Sequence, residues 1–353
     1  MSVEMNPLGL DGFAFCEFTS PEPEALARQF EMMGFVPAHR HPTKAITRYV
    51  QGRINLLLNA EETGQAADFR AEHGPSASGM GFRVTDPAAA HAHALQHGAV
   101  AVDPSVGALG ADSFAVEGIG GSYLYLVAAG GDMYADWTEI PGWQEAAREN
   151  SVGLDLLDHL THNVRRGEMR TWSSFYGRIF GFEEQKYFDI KGKATGLFSQ
   201  AMIAPDQAIR IPLNESQDEN SQIEEFIRQY QGEGIQHLAL TTDDIYTTVE
   251  KLRERGVRLQ DTIETYFELV DKRVPGHGED LERLRKNRIL IDGSVERGEG
   301  LLLQIFTENM VGPIFFEIIQ RKGNEGFGNG NFQALFESIE LDQIRRGVIT
   351  VDF

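Results

Sequence analysis

Cysteine is nearly absent, with one residue, Cys16, in 353. A single thiol excludes an intrachain disulfide and any zinc or iron–sulfur site built from several cysteines. Its plain role is that of a small buried hydrophobe. Long apolar runs are missing too. No stretch approaches the ~20 apolar residues of a spanning helix. Met1 to Gly12 has no basic segment followed by an apolar one, so nothing reads as an export signal. These absences predict a cytoplasmic protein with no membrane partner. Basic residues are in deficit, 32 Lys and Arg against 53 Asp and Glu, for a net charge of −21. That field repels nucleic-acid phosphate and anionic lipid, while a local cationic site still admits a small anion. Familiar nucleotide and hydrolase motifs are also lacking. There is no G-x-x-x-x-G-K-[ST], no G-x-S-x-G and no H-E-x-x-H. The glycines of Gly326-Phe327-Gly328-Asn329-Gly330 lack the spacing and preceding strand of a dinucleotide fingerprint.

What is present is ample core material. Hydrophobic residues make up 41% of the chain and 22 of them are Phe. A chain of this length exceeds one ordinary core, so two domains are expected. Their organisation is an internal repeat. An apolar strand-like run, a helical segment and a closing Gly recur four times. The copies are Gly12–Thr19, Pro21–Met33 and Gly34; Gly79–Thr85, Asp86–His97 and Gly98; Leu156–Val164, Gly167–Phe180 and Gly181; and Gly234–Thr241, Asp243–Arg255 and Gly256. Asp86-Pro87 reads as an N-cap followed by Pro at the first helical position. Each closing Gly suits the left-handed position that ends a helix. Further strands are expected at Arg48–Leu58, Ser122–Ala128, Lys193–Ile203, Ile209–Leu213 and Leu301–Phe306. The fold class is therefore α+β: four βαβββ modules paired into two half-open barrel domains, residues 1–150 and 151–353. Gly130–Val152, with Trp137 and Trp143, reads as the crossover. This pattern resembles the vicinal-oxygen-chelate superfamily.

The chemistry sits at equivalent places in the repeat. His159 lies on the first strand of the third module and His237 on the first strand of the fourth. Glu317 interrupts Phe315-Phe316-Glu317-Ile318-Ile319, where a carboxylate is expensive to bury without a partner. Two imidazoles and one carboxylate form the facial set of non-haem Fe(II) oxygenases. His162 competes with His159, because a strand alternates faces and spacing does not choose between them. The matching strands of the first two modules carry Phe15 and Phe82 instead. The first domain thus reads as metal-free and structural.

The motifs Asp158-His159, Gly234-Ile235-Gln236-His237-Leu238-Ala239, Phe316-Glu317-Ile318-Ile319-Gln320-Arg321 and Gly326-Phe327-Gly328-Asn329-Gly330-Asn331-Phe332, followed by Leu335-Phe336, carry a closer resemblance. His73-Gly74-Pro75-Ser76 joins them from the other half. Over essentially its whole length the chain resembles the bacterial-type 4-hydroxyphenylpyruvate dioxygenases. The resemblance selects His159 over His162 and implies Fe(II) on His159, His237 and Glu317. It implies Gln236, Gln304, Asn214 and Ser199 as polar residues acting at the substrate. Gln222, Phe306, Phe315, Asn331, Phe332 and Phe336 are implied as its binding surface, with Phe306 and Phe332 sandwiching the ring. It further implies 4-hydroxyphenylpyruvate and dioxygen as substrates and homogentisate and carbon dioxide as products, in tyrosine and phenylalanine breakdown. A homotetramer or dimer is implied, as is a gate over the active site formed by the Gly-rich loop and Phe332–Asp342. The alternatives are a 4-hydroxymandelate synthase, an extradiol catechol dioxygenase, and a metal-free binding protein built from the same modules. Asn214, Phe332, the Gly-rich motif and the intact ligand set weigh against these.

Overall fold

The computed structural model describes residues 6–192, 194–262 and 264–349. Lys193, where one strand was expected to begin, and the outermost residues of both expected domains lie outside them. The first module comprises β1 (Phe13–Thr19), α1 (Pro23–Met32), β2 (Val36–Arg40), β3 (Ile46–Gln51) and β4 (Ile54–Asn59), followed by α2 (Gln65–His73). The second comprises β5 (Ser76–Val84), α3 (Pro87–Gln96), β6 (Phe114–Glu117) and β7 (Tyr123–Ala128). After it come β8 (Thr138–Glu139) and α4 (Trp143–Asn150). The third comprises β9 (Leu154–Val164), α5 (Met169–Phe180), β10 (Glu183–Lys191), β11 (Gly196–Ile203) and β12 (Arg210–Ser216), followed by α6 (Gln222–Tyr230). The fourth comprises β13 (Gly234–Thr242), α7 (Ile245–Glu254), the short α8 (Glu264–Glu268), α9 (Val270–Arg273) and α10 (Leu281–Asn287), then β14 (Leu290–Ser294), β15 (Gly300–Phe306) and β16 (Phe315–Lys322). α11 (Asn329–Arg345) closes the described chain.

Local chemistry explains the repeat. Asp86 caps α3 by accepting from the Ala89 amide at 3.0 Å, and Pro87 follows it. Gly34, Gly98, Gly181 and Gly256 all have positive φ, from 74° to 96°, as the helix-ending position requires. Two expectations change. Arg48–Leu58 is not one strand but the hairpin β3–β4, because Gly52 turns the chain at φ 54°. The second module keeps two strands after its helix rather than three.

Each pair of modules makes one eight-stranded sheet, ordered β6-β7-β5-β1-β4-β3-β2-β8 and β10-β11-β12-β9-β13-β16-β15-β14. At each centre an antiparallel pair, β1 with β5 and β9 with β13, joins the two modules. One continuous core lies between the sheets and their helices. Phe18 meets Phe316 at 6.3 Å and Phe82 meets Phe180 at 5.5 Å, across the two halves. Burying a Phe of this kind stabilises the fold by roughly 1.5–3 kcal/mol. The crossover is packed rather than free, with Trp137 buried against Tyr134 at 5.2 Å. No helix among the described residues is long and apolar enough to cross a membrane.

Candidate metal centre and substrate pocket

Strand alternation divides β9, β13 and β16 between two jobs. Leu160, Leu238 and Phe316 face the shared core. The residues between them, His159, His237 and Glu317, face into the second half-barrel and line a pocket there. Register brings them together. His159 pairs with Ala239, and Ala239 pairs with Glu317, so one row across three strands holds an imidazole, a methyl and a carboxylate. His237 stands two residues along β13, on the same face. Glu317 Oε2 lies 3.3 Å from His159 Nε2 and 3.4 Å from His237 Nε2. One ligand atom from each residue lies within 4.8 Å of the others.

This donor set fits a divalent cation. Glu317 is 2% exposed, and a carboxylate so buried needs a positive partner. The two histidines do not supply it equally. Burial opposes charge on His159, but the Glu317 and Asp158 carboxylates outweigh it and hold its pKa above the ordinary value. Burial dominates at His237 and holds its pKa below the ordinary value. Glu317 itself, despite burial, is brought down to about 2 by the imidazoles. One cation shared by Oε2 and the two Nε2 atoms satisfies all three groups.

The outer atoms of the ligands are held as well. Asp158 Oδ2 accepts from His159 Nδ1 at 2.8 Å, and Gln236 Oε1 accepts from His237 Nδ1 at 3.0 Å. Both bonds leave Nε2 as the metal-facing lone pair. Gln304 Nε2 donates to Glu317 Oε1 at 2.6 Å, and Asn331 Nδ2 donates to Gln304 Oε1 at 2.7 Å. Tyr266 completes this chain by donating to Asn331 Oδ1 at 2.8 Å. His162 sits apart, fully buried on the opposite strand face, where its Nε2 shares a 2.7 Å hydrogen bond with the Tyr176 hydroxyl. Burial pushes its pKa down to about 3.

The pocket wall contains Ser199, Asn214, Gln222, Gln236 and Gln304 on its polar side, and Phe306, Phe332 and Phe336 on its apolar side. Ser199 and Asn214 are direct neighbours across β11 and β12. Asn214 Oδ1 and Gln222 Nε2 are buried without a partner among the described residues, an acceptor and a donor both available to a ligand. Two expected residues do not line the pocket. Phe315 lies behind His237, its ring stacked on the imidazole at 4.8 Å, because it shares the His237 row. Asn331 is fully buried behind Gln304. Six wall residues among the described ones were not expected: Thr161, Phe188, Leu197, Ala201, Pro212 and Phe327. Thr161 Oγ1 lies 3.0 Å from His237 Nε2, Phe188 meets Phe332 edge-on at 5.8 Å, Leu197 sits on β11, and Phe327 stands against His159 at 5.4 Å. Phe327 was visible as part of the Gly-rich motif; Thr161 depends on antiparallel register, which no local pattern displays.

The first half holds a telling contrast. Phe15 pairs with Gly81 and Gly81 with Tyr125, the same lattice as His159, Ala239 and Glu317. Phe15 and Tyr125 pack at 5.5 Å, filling the place with rings. Phe82, expected as the second counterpart, faces the other way, toward Phe180 and Phe182.

Comparison with known proteins gives consistent matches. Residues 5–140 match the model for the N-terminal part of hydroxyphenylpyruvate dioxygenase, and residues 156–269 match the glyoxalase/bleomycin resistance protein/dioxygenase superfamily. A 4-hydroxyphenylpyruvate dioxygenase of Pseudomonas aeruginosa is 57% identical over 352 residues, spanning 98% of this chain and 97% of that protein. Hemolysin VllY of Vibrio vulnificus is 54% identical over 351 residues, spanning 98% of each. Among solved structures, a triple mutant of 4-hydroxymandelate synthase from Streptomyces coelicolor superposes with a TM-score of 0.82 at 27% identity, covering 95% of this chain and 100% of that one.

Proposed function

This chain belongs to the 4-hydroxyphenylpyruvate dioxygenase family, and from that membership we propose how its own residues carry the reaction. 4-Hydroxyphenylpyruvate and dioxygen become homogentisate and carbon dioxide. One oxygen atom enters the new carboxylate, the other the ring, and the side chain migrates to the adjacent ring carbon. The metal is Fe(II), held by His159, His237 and Glu317. Bound there, it supplies a chelation site for the keto acid and the electrons that activate dioxygen.

The protein fixes geometry around it. Asp158 and Gln236 hold the two imidazoles by their Nδ1 hydrogens, and Gln304 holds the outer oxygen of Glu317. At the phenol end, Asn214 Oδ1 accepts the hydroxyl proton and Gln222 Nε2 donates to the oxygen, which relieves both unpartnered atoms. Ser199 lies beside Asn214 on this wall. Phe306 and Phe332 face the ring, Phe336 closes the apolar end, and α11 keeps water out. Phe315 and Asn331 act from behind, bracing His237 and Gln304. Residues 1–150 form a structural domain, and residues 151–353 the catalytic one. We place the enzyme in the cytoplasm as a homo-oligomer, dimer or tetramer, on the family resemblance.

The observation that carries this reading is the buried carboxylate of Glu317 between two imidazole nitrogens at the end of an aromatic pocket. Metal-depleted protein should consume dioxygen with 4-hydroxyphenylpyruvate only after Fe(II) is restored, releasing one carbon dioxide per dioxygen. Equal turnover after restoration with Zn(II), which has no redox chemistry, would contradict it.

A further inference from the structure

Asp158 is 3% exposed and its carboxylate is shared. Beyond His159 it receives the fork of Arg321, with Nε donating to Oδ1 and Nη2 to Oδ2, both at 2.8 Å. The remaining nitrogen of Arg321, Nη1, points the opposite way. It donates to the backbone carbonyls of Asn324 at 3.0 Å and Gly326 at 2.6 Å. Those residues begin the Gly-rich loop that leads into α11. A second arginine makes the same connection. Arg210 is paired in register with His159, lies 3.6 Å from Asp158 Oδ1, and bonds Glu325 at 2.8 Å. Three consecutive loop residues are thus tied to one carboxylate, and that carboxylate is tied to a metal ligand. The next residue is Phe327, whose ring stands edge-on to His159. Phe327 lines both the inner pocket and an open polar basin bounded by Lys186, Asp292 and Arg297. Its ring stands between the inner pocket and the basin.

We propose that Arg321 is a positioning residue that links occupancy of the metal site to closure of the loop carrying Phe327. The inference rests on His159 being a metal ligand. A cation at Nε2 fixes the imidazole, so Nδ1 fixes Asp158 and Asp158 fixes the guanidinium. The guanidinium then holds the Asn324 and Gly326 carbonyls, and Phe327 stays across the pocket mouth. Only a planar group with donors on both sides spans these partners; a lysine ammonium reaches one side. Reciprocity follows: a closed loop favours bound metal by the same factor that bound metal favours a closed loop.

The test uses hydrogen–deuterium exchange of the loop amides in the full chain, with Co(II) as the metal and its visible absorption as the binding readout. In the unsubstituted protein, Co(II) should slow exchange across residues 324–330 several-fold. In Arg321→Lys, Co(II) should still bind, about 10-fold more weakly, and at saturation the loop should exchange at the same rate with or without metal. Asp158→Asn cuts the same link from the other end and should lose the metal-dependent slowing too, which guards against a fold defect peculiar to one variant. Full metal-dependent slowing in both variants at saturating Co(II), or none in the unsubstituted protein, would overturn the proposal. Failure of Co(II) to bind the unsubstituted protein would overturn it together with the assignment of the ligands, and the absorption spectrum separates that failure from the others.

Discussion

Gln304 Nε2 donates to Glu317 Oε1 at 2.6 Å, so the one carboxylate among the described residues of the pocket wall arrives already oriented. With Oε1 engaged, Oε2 alone turns toward His159 and His237. The amide is itself held by Asn331 on α11, so the helix over the pocket and Glu317 belong to one hydrogen-bond chain. Gln304→Ala should therefore lower metal affinity by about 10–100-fold without removing a ligand. Titration of metal-free protein with Co(II) measures this; unchanged affinity would mean the bond is incidental.

Glu317→Ala should leave the protein folded and remove most Fe(II) affinity and all turnover, since a ligand and its charge are lost together. Metal content after dialysis, alongside a thermal melt, checks both parts. Wild-type turnover at saturating Fe(II) would take Glu317 out of the ligand set.

The two neighbouring histidines should separate cleanly. His159→Ala should abolish turnover. His162→Ala should keep iron and activity but leave the buried Tyr176 hydroxyl unpaired, at a stability cost of about 1–3 kcal/mol. Denaturation curves and iron content on the two purified variants decide it, and the opposite ranking would refute the assignment.

These histidines also mark how far a linear sequence reaches. The repeat is a local property, so the paired-module fold and the strands carrying His159 and His237 were readable, whereas His159 was separated from His162 only by the family resemblance. What crosses between strands was not. Thr161 reaches His237 only through antiparallel register. Gly81, not its neighbour Phe82, pairs with Phe15, in a stretch flanked by register shifts between Phe13 and Phe15 and between Glu17 and Phe18 that the linear sequence does not display. The amides came as a polar set from the family resemblance, without their partners: Gln304 is committed to Glu317, whereas Asn214 and Gln222 each keep an atom without a partner among the described residues.

Phe332 tests product choice. Phe332→Ile keeps an apolar wall but removes a flat face, at about 1 kcal/mol of aromatic contact. That is enough to move a product ratio several-fold, since about 1.4 kcal/mol is a factor of ten. Decarboxylation should persist while hydroxymandelate or other uncoupled products rise against homogentisate. Chromatography at matched substrate consumption reads the ratio, and an unchanged homogentisate fraction would remove Phe332 from the steering role.

The first half carries a pH-dependent cost. Glu17 is fully buried, and that burial, only partly offset by Asn59, Ser78, Tyr125 and Lys44, pushes its pKa from 4.5 up to about 7. Between those values the unfolded chain gives up the proton while the folded one keeps it. Stability therefore falls as pH rises through this window, by up to about 3 kcal/mol, and levels off above it. Glu17→Gln should gain on the wild type from pH 5 to pH 8. Denaturant unfolding at the two pH values measures it; an identical stability difference at both would contradict the shift.

We propose that Fe(II) on His159, His237 and Glu317 converts 4-hydroxyphenylpyruvate to homogentisate. Aerobic incubation of the Fe(II)-loaded protein with this substrate, followed by chromatography of the organic products, decides the matter. Homogentisate should be the main product, in amounts equal to the carbon dioxide released. Hydroxymandelate as the main product, or no turnover by protein shown to hold iron, would contradict it.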